Sequence, residues 1–120
     1  MAMHNKLGAD GESIAVDYLK ANGYKVIARN WRVGHLEVDI IAELNSTIVF
    51  VEVKTRSTNF FGDPHTFVSI EKQKNIVAAA NEYLQQNQLD MECRFDIIGV
   101  VMLRESHTTN HFVDAFYPLL

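Results

Sequence analysis

Cysteine is almost absent from this chain of 120 residues, where Cys93 stands alone. A single thiol excludes an internal disulfide framework and a thiolate metal cage, and its apolar flank (MECRFDII) predicts a reduced, partly buried side chain. Low-complexity tracts, internal repeats and linkers are also missing. One domain over residues 1–120 is therefore expected, with 1–7 as a flexible N-terminus. Nor is there an excess of basic charge. Eleven Lys and Arg against fifteen Asp and Glu leave a formal charge of −4, which excludes a molecule-wide positive field, so an anionic partner must be held locally. No apolar run approaches the ~20 residues of a membrane span, and MAMHNKLGADGES lacks the apolar core of a signal peptide. A cytoplasmic protein with no membrane partner is the expectation. His4, His35, His65, His107 and His111 show no metal-ligand spacing, and no serine or cysteine has a triad context, which disfavours zinc and covalent catalysis. Gly34 and Gly62 read as turn glycines, since neither stands in a Gly-rich run between strand and helix.

What is present is 48% hydrophobic residues, enough for one core, arranged in alternating periods. Asp10-Gly11-Glu12-Ser13 predicts a helix start, and the helix runs to Lys20 or Ala21 before Asn22-Gly23 stops it. Ala15, Val16 and Leu19 share its inner face, and Glu12 is aimed along that same face. Three strands follow, over Tyr24–Trp31, Leu36–Leu44 and Thr47–Lys54. Gly62, Asp63 and Pro64 mark a loop. Ser69 then caps a helix over Ile70–Gln86, with Ile76, Val77, Ala80, Tyr83 and Leu84 as its apolar stripe. Strands over Cys93–Leu103 and His111–Phe116 complete the order α-β-β-β-α-β-β, a mixed α/β domain whose second helix crosses over the sheet.

The stretch VFVEVKTR, from Val49 to Arg56, places Glu52 and Lys54 on an otherwise apolar strand. If Asn45-Ser46 makes a two-residue hairpin, opposed residues have numbers summing to 91, and Asp39 faces Glu52. Alternation adds Glu37 and Lys54 to that side and sends Val38, Ile40, Val51 and Val53 to the other. Opposed carboxylates ~4.5–5.5 Å apart at Cβ should repel. A divalent cation between them, Mg²⁺ or Mn²⁺, would remove the repulsion, because these hard ions are typically held by one or two carboxylates plus water and substrate phosphate. Lys54 could then position the attacking water or stabilise charge developing on phosphate, as metal-assisted phosphodiester hydrolysis requires. The competing reading is a solvated strand end with a Glu37–Lys54 surface ion pair worth ~0–1 kcal/mol.

Taken together, GADGESIAVDYL, GYKVIARNWR, LEVDIIA, VFVEVKTR and RFDIIGV resemble the YraN-like family of small endonuclease-related proteins, over about Gly8 to Phe116. That family is placed in the PD-(D/E)xK nuclease superfamily and is similar to archaeal Holliday junction resolvases. The resemblance implies a restriction-endonuclease-like mixed sheet of about five strands flanked by helices. It also implies that Asp39 is the first-strand aspartate, Glu52 and Lys54 the E-x-K element, and Glu12 the first-helix glutamate of the resolvase branch. The main-chain carbonyl of Val53 would approach the metal. No proline precedes Asp39 here, where the superfamily's motif has one. A homodimer acting on branched DNA in repair or recombination is the further implication.

Arg56, Lys72 and Lys74 are candidates for holding backbone phosphates around such a site, and Arg29 and Arg32 would extend the surface. Against this, scattered basic residues on helices more often serve solubility. Trp31 could stack on an unpaired base, but a lone tryptophan closing a strand is more often core. Asp96, among apolar neighbours, either lies near the cleft or anchors Arg94 or another basic group across the sheet, the structural role being slightly favoured. Two functions stand: a metal-dependent DNA endonuclease using Glu12, Asp39, Glu52 and Lys54, or a non-catalytic nucleic-acid-binding or protein-interaction module that keeps the fold.

Overall fold

A computed structural model of the chain describes residues 2–57 and 68–116, with side chains of the first helix from Asp10 onward. The elements are α1 (Ala2–Ala21), β1 (Lys25–Val33), β2 (Leu36–Leu44), β3 (Thr47–Arg56), α2 (Ile70–Gln86), β4 (Glu92–Met102) and β5 (His107–Phe112). The strands form one sheet in the order β1-β2-β3-β4-β5. Only the β3–β4 pair is parallel. Parallel neighbours need a long crossover, and α2 lies within it. The expected loop at Gly62, Asp63 and Pro64 lies outside the described residues.

Each helix covers one face of the sheet. Ala15, Val16 and Leu19 of α1 pack on Ile40, Val49, Val51, Ile98 and Val100. On the opposite face, Ile76, Ala79, Ala80 and Tyr83 of α2 pack on Ile41, Ile48, Phe50, Phe95 and Ile97. Trp31 belongs to this second core, edge-on to Tyr83 with ring centroids 5.3 Å apart. Among the described residues no helix is long and apolar enough to cross a membrane.

Helix ends follow local chemistry. Ser69 Oγ accepts from the Lys72 N–H at 3.1 Å, capping α2 where the sequence placed its start. At the end of α1, Gly23 takes φ +87°. Its N–H donates to Lys20 O at 3.1 Å and the Tyr24 N–H to Leu19 O at 3.0 Å, the two bonds of a Schellman cap.

Several expectations are corrected. The first helix does not start at Asp10: it begins at Ala2, so Asp10–Ser13 lies inside it. Gly11 there is not a start signal but a buried point of close approach, since a Cβ added to it would fall 2.0 Å from Thr55 Oγ1 on β3. The last strand occupies His107–Phe112 rather than His111–Phe116. It pairs Met102 with His107 through a tight return in which the Leu103 N–H donates to Ser106 O at 2.8 Å. As an edge strand it tolerates the polar run His107-Thr108-Thr109-Asn110, which carries no apolar periodicity to reveal it. Smaller shifts start β1 one residue later and end it two residues later than its predicted span and extend β3 to Arg56, where β4 still offers a ladder partner in Val101. Cys93 is exposed near the start of β4, not partly buried.

Candidate functional site

Asn45 and Ser46 both take positive φ, +50° and +66°. Such a two-residue turn matches the twist of its strands and sets the register of β2 on β3. Leu44 pairs with Thr47, Ile41 with Phe50 and Ile40 with Val51, so Asp39 and Glu52 come next in line. There the ladder gives way. Asp39 Oδ2 accepts the Val53 N–H at 2.8 Å, so a carboxylate oxygen takes the place of a main-chain acceptor between the parting strands.

The neighbouring strand deforms at the same level. Asn30 of β1 stands at φ +51°, between the pairs Arg29–Ile40 and Trp31–Val38, and so opposite Asp39. Asparagine is among the residues that best tolerate this left-handed backbone. Alternation breaks in both strands. Ala28 and Trp31, three residues apart, lie on the α2 side, as do Ile41 and Val38. The expected grouping of Val38 with Ile40, Val51 and Val53 is therefore corrected, because Val38 packs in the α2 core while the other three pack in the α1 core. The break turns Arg29 and Asn30 toward α1. Asn30 Nδ2 donates to Glu12 Oε1 at 2.8 Å, Arg29 Nη2 to Ser13 Oγ at 3.3 Å, and Arg29 Nε lies 3.8 Å from Glu12 Oε1.

Glu52 is only 4% exposed. Burial, followed by a hydrogen bond and charge repulsion from Asp39, pushes its carboxyl up to about 8, against the opposing charges of Lys72 and Lys54. Glu52 thus holds its proton more strongly than a free carboxyl does. Glu12 is also raised, by burial and then by Asp39; its hydrogen bond from Asn30 and the charge of Arg29 act in the opposite sense. Lys72 reaches in from the first turn of α2 and places Nζ 3.4 Å from Glu52 Oε2.

Glu12, Asp39, Glu52 and Lys54 thus share one neighbourhood at the end of the β2–β3 ladder, their charges acting on one another. Among the described residues, no three His, Cys, Asp or Glu side chains gather as a ready cation cage. Glu12 Oε1 is held by Asn30 instead. Asp39 and Glu52 do fit a hard divalent ion, as two adjacent oxygen donors whose mutual repulsion a proton now relieves. The Glu37–Lys54 ion pair is not formed: Glu37 Oε2 lies 3.2 Å from Arg32 Nη2. Arg56 is exposed at the end of β3, and Lys74 is exposed on α2. Asn30 and Gly11 were missed as site residues. The available signals were an asparagine interrupting an apolar strand and a glycine inside a helical period.

A second group of polar side chains lies on the α1 side of β4. Asp96, wholly buried, accepts from Arg94 Nε and Nη2 at 2.8 Å each and from the Asp114 N–H at 3.0 Å. His111 Nε2 is 2.7 Å from its Oδ2, and Tyr18 Oη is 3.1 Å from His111 Nδ1. Arg94 Nη2 also donates to Tyr24 Oη at 2.6 Å. Burial alone would raise Asp96; the bonds from His111, Arg94 and the Asp114 main chain outweigh it and hold the carboxyl below its usual range. Asp96 anchors Arg94, as expected, and His111 as well.

The fold and site define a mixed α/β protein with a carboxyl pair, Glu52 buried and Asp39 half-buried, at a parting of antiparallel strands. Residues 11–100 match the family described as Uncharacterised protein family UPF0102. The chain belongs to that family. It is 47% identical over 117 residues to a UPF0102 protein of Flavobacterium psychrophilum, with 98% of each chain covered. A UPF0102 protein of Bacteroides thetaiotaomicron is 46% identical over 120 residues, covering 100% of this chain and 99% of the relative. One from Alkaliphilus oremlandii is 45% identical, covering 95% of this chain and all of the relative.

Proposed function

We propose that this protein is a metal-dependent DNA endonuclease that hydrolyses phosphodiester bonds at the Asp39–Glu52 centre. The observation that carries this reading is a carboxyl pair, Glu52 buried and Asp39 half-buried, flanked by lysines from two different elements, Lys54 on β3 and Lys72 on α2. Buried acids with strongly displaced titration in the company of specific charges are a recurring mark of functional sites. Asp39 and Glu52 would hold Mg²⁺ or Mn²⁺, with the Val53 carbonyl as a third donor and Glu12 available from α1. When bound, such an ion polarises a phosphodiester and acidifies its water.

The chain's own residues supply the rest. Lys54 brings an ammonium beside Glu52 that stabilises negative charge developing on the phosphate or positions the attacking water. Lys72, Lys74, Arg56 and Arg32 offer cations around the site for backbone phosphates. Branched DNA and a homodimer, which would double that cationic surface, belong to the same reading. The net charge of −4 favours the alternative of a non-catalytic module that retains the fold. Incubating the protein with linear, flapped and four-way-branched DNA in Mg²⁺ or Mn²⁺, beside Glu52→Gln and Lys54→Ala, separates the two. Cleavage by the natural sequence that both substitutions abolish supports the nuclease. Cleavage that survives both, or none by the natural sequence on any substrate, overturns it.

A further inference from the structure

Lys72 is fixed at its root and movable at its tip. Its main-chain N–H is bound by Ser69 Oγ at 3.1 Å. The turn around it is tied by Gln73 N to Ser69 O at 2.9 Å and by Gln73 Nε2 to Val68 O at 3.1 Å. The four-carbon arm beyond carries an ammonium whose side chain is 40% exposed, whereas the Glu52 side chain it reaches is 5% exposed. Its contact is therefore made at the rim, with solvent on one side and the buried Glu52 carboxyl on the other. Lysine suits such a post, as a compact charge on a flexible stem rather than a planar fork locked to one partner.

We infer that Lys72 is the counter-ion of the cation-free centre, and that a divalent ion at Asp39 and Glu52 drives its ammonium onto a phosphate of bound nucleic acid. Metal and nucleic acid then bind with positive coupling through this one side chain. The inference rests on the nuclease reading and adds a positioning residue to it. Coulomb's law sets the direction. A divalent ion held between Asp39 and Glu52 repels the neighbouring ammonium, so the hold of Glu52 on Lys72 weakens when the ion binds. An ammonium leaving Glu52 at the rim faces outward, where a phosphate offers the charge it has lost. The orientation of α2 favours the same move, because a helix N-terminus attracts anions.

The test is titration of Mn²⁺ alone into the full chain at pH 8 by calorimetry, for the natural sequence, Lys72→Met and Lys72→Arg. Removing the ammonium removes a repulsion that the incoming divalent ion would otherwise meet at Glu52. Lys72→Met should bind Mn²⁺ about two- to fivefold more tightly, the range of a partly exposed ion pair, and Lys72→Arg should match the natural sequence. In a second measurement, fluorescence anisotropy of a labelled DNA duplex with and without Ca²⁺, the ion should tighten binding by the natural sequence and not by Lys72→Met. Unchanged or weaker Mn²⁺ binding by a folded Lys72→Met, or ion-dependent tightening that survives in it, overturns the role of Lys72 alone. If the natural sequence binds neither ion, both this role and the nuclease reading fall.

Discussion

Glu52 and Asp96 are both buried carboxyls on central strands, and the protein treats them in opposite ways. Asp96 receives hydrogen bonds from Arg94, His111 and the Asp114 main chain, which together overcome its burial and keep it ionised. Glu52 has the carboxyl of Asp39 raising its pKa further, and one rim lysine at 3.4 Å offsets only part of the cost. A charge compensated on every side is architecture, since such a network locks one packing of strand, helix and edge. An acid left short of compensation keeps the capacity to bind a cation. Asp96 thus fastens β4, β5 and the end of α1 together, while the Asp39–Glu52 pair is left only partly compensated.

The comparison breaks most severely at Asp96. Asp96→Ala would leave Arg94 and His111 without their shared anion and should cost about 3–5 kcal/mol in denaturant unfolding, as removing one partner of a buried charge network does. The two acids also give stability opposite pH dependence. The lowered pKa of Asp96 contributes stability that is present above its usual range near 3.8 and lost as pH falls toward its folded value. The raised pKa of Glu52 does the reverse. The folded state holds a proton that the unfolded state has released, so metal-free stability should fall as pH rises from about 5 through about 8. The loss should be on the order of 2–4 kcal/mol. Chemical denaturation across pH 4–9 measures it, and Glu52→Gln should flatten the neutral-to-alkaline limb. A limb that keeps its slope in Glu52→Gln would mean that another group is responsible.

Smaller changes sharpen the contrast. Gly11→Ala should cost about 1–3 kcal/mol by overpacking against Thr55, and Thr55→Ala in the same chain should recover much of it. Little recovery in the double variant would show that the crossing of α1 over β3 is set elsewhere. The smallest effect is expected at Asn30. Asn30→Gly keeps the left-handed backbone and removes only the bond to Glu12, so stability should change by about 0.5 kcal/mol. Asn30→Ala adds the backbone penalty and should cost about 1–2 kcal/mol. Equal stability of these two variants would mean that Asn30 is not needed for its backbone.

How far the site could be read beforehand depended on the range of the interactions that make it. Asp39 and Glu52 were legible as partners because a two-residue turn at Asn45-Ser46 dictates the pairing for the whole hairpin. The span of α2 was legible because its cap and its apolar period are both local. Val38 was misplaced because period-two alternation assumes an unbroken strand, and Asn30 breaks it. The edge strand β5 was misplaced because solvent on its outer side removes the apolar pattern that would have marked it.

The sequence by itself therefore determined the order of elements, the inner faces of the two helices and the juxtaposition of Asp39 with Glu52. All three follow from interactions between residues close along the chain or from burial periods. Only the tertiary structure decided what surrounds that pair: Glu12 clasped by Asn30, the glycine that lets α1 cross over Thr55, Lys72 brought to Glu52 from another element, and Asp96 joined to His111 and, through it, to Tyr18. Those contacts join residues 15 to 93 positions apart or arise where a helix meets a sheet. Their geometry depends on how whole elements pack, which no local periodicity encodes.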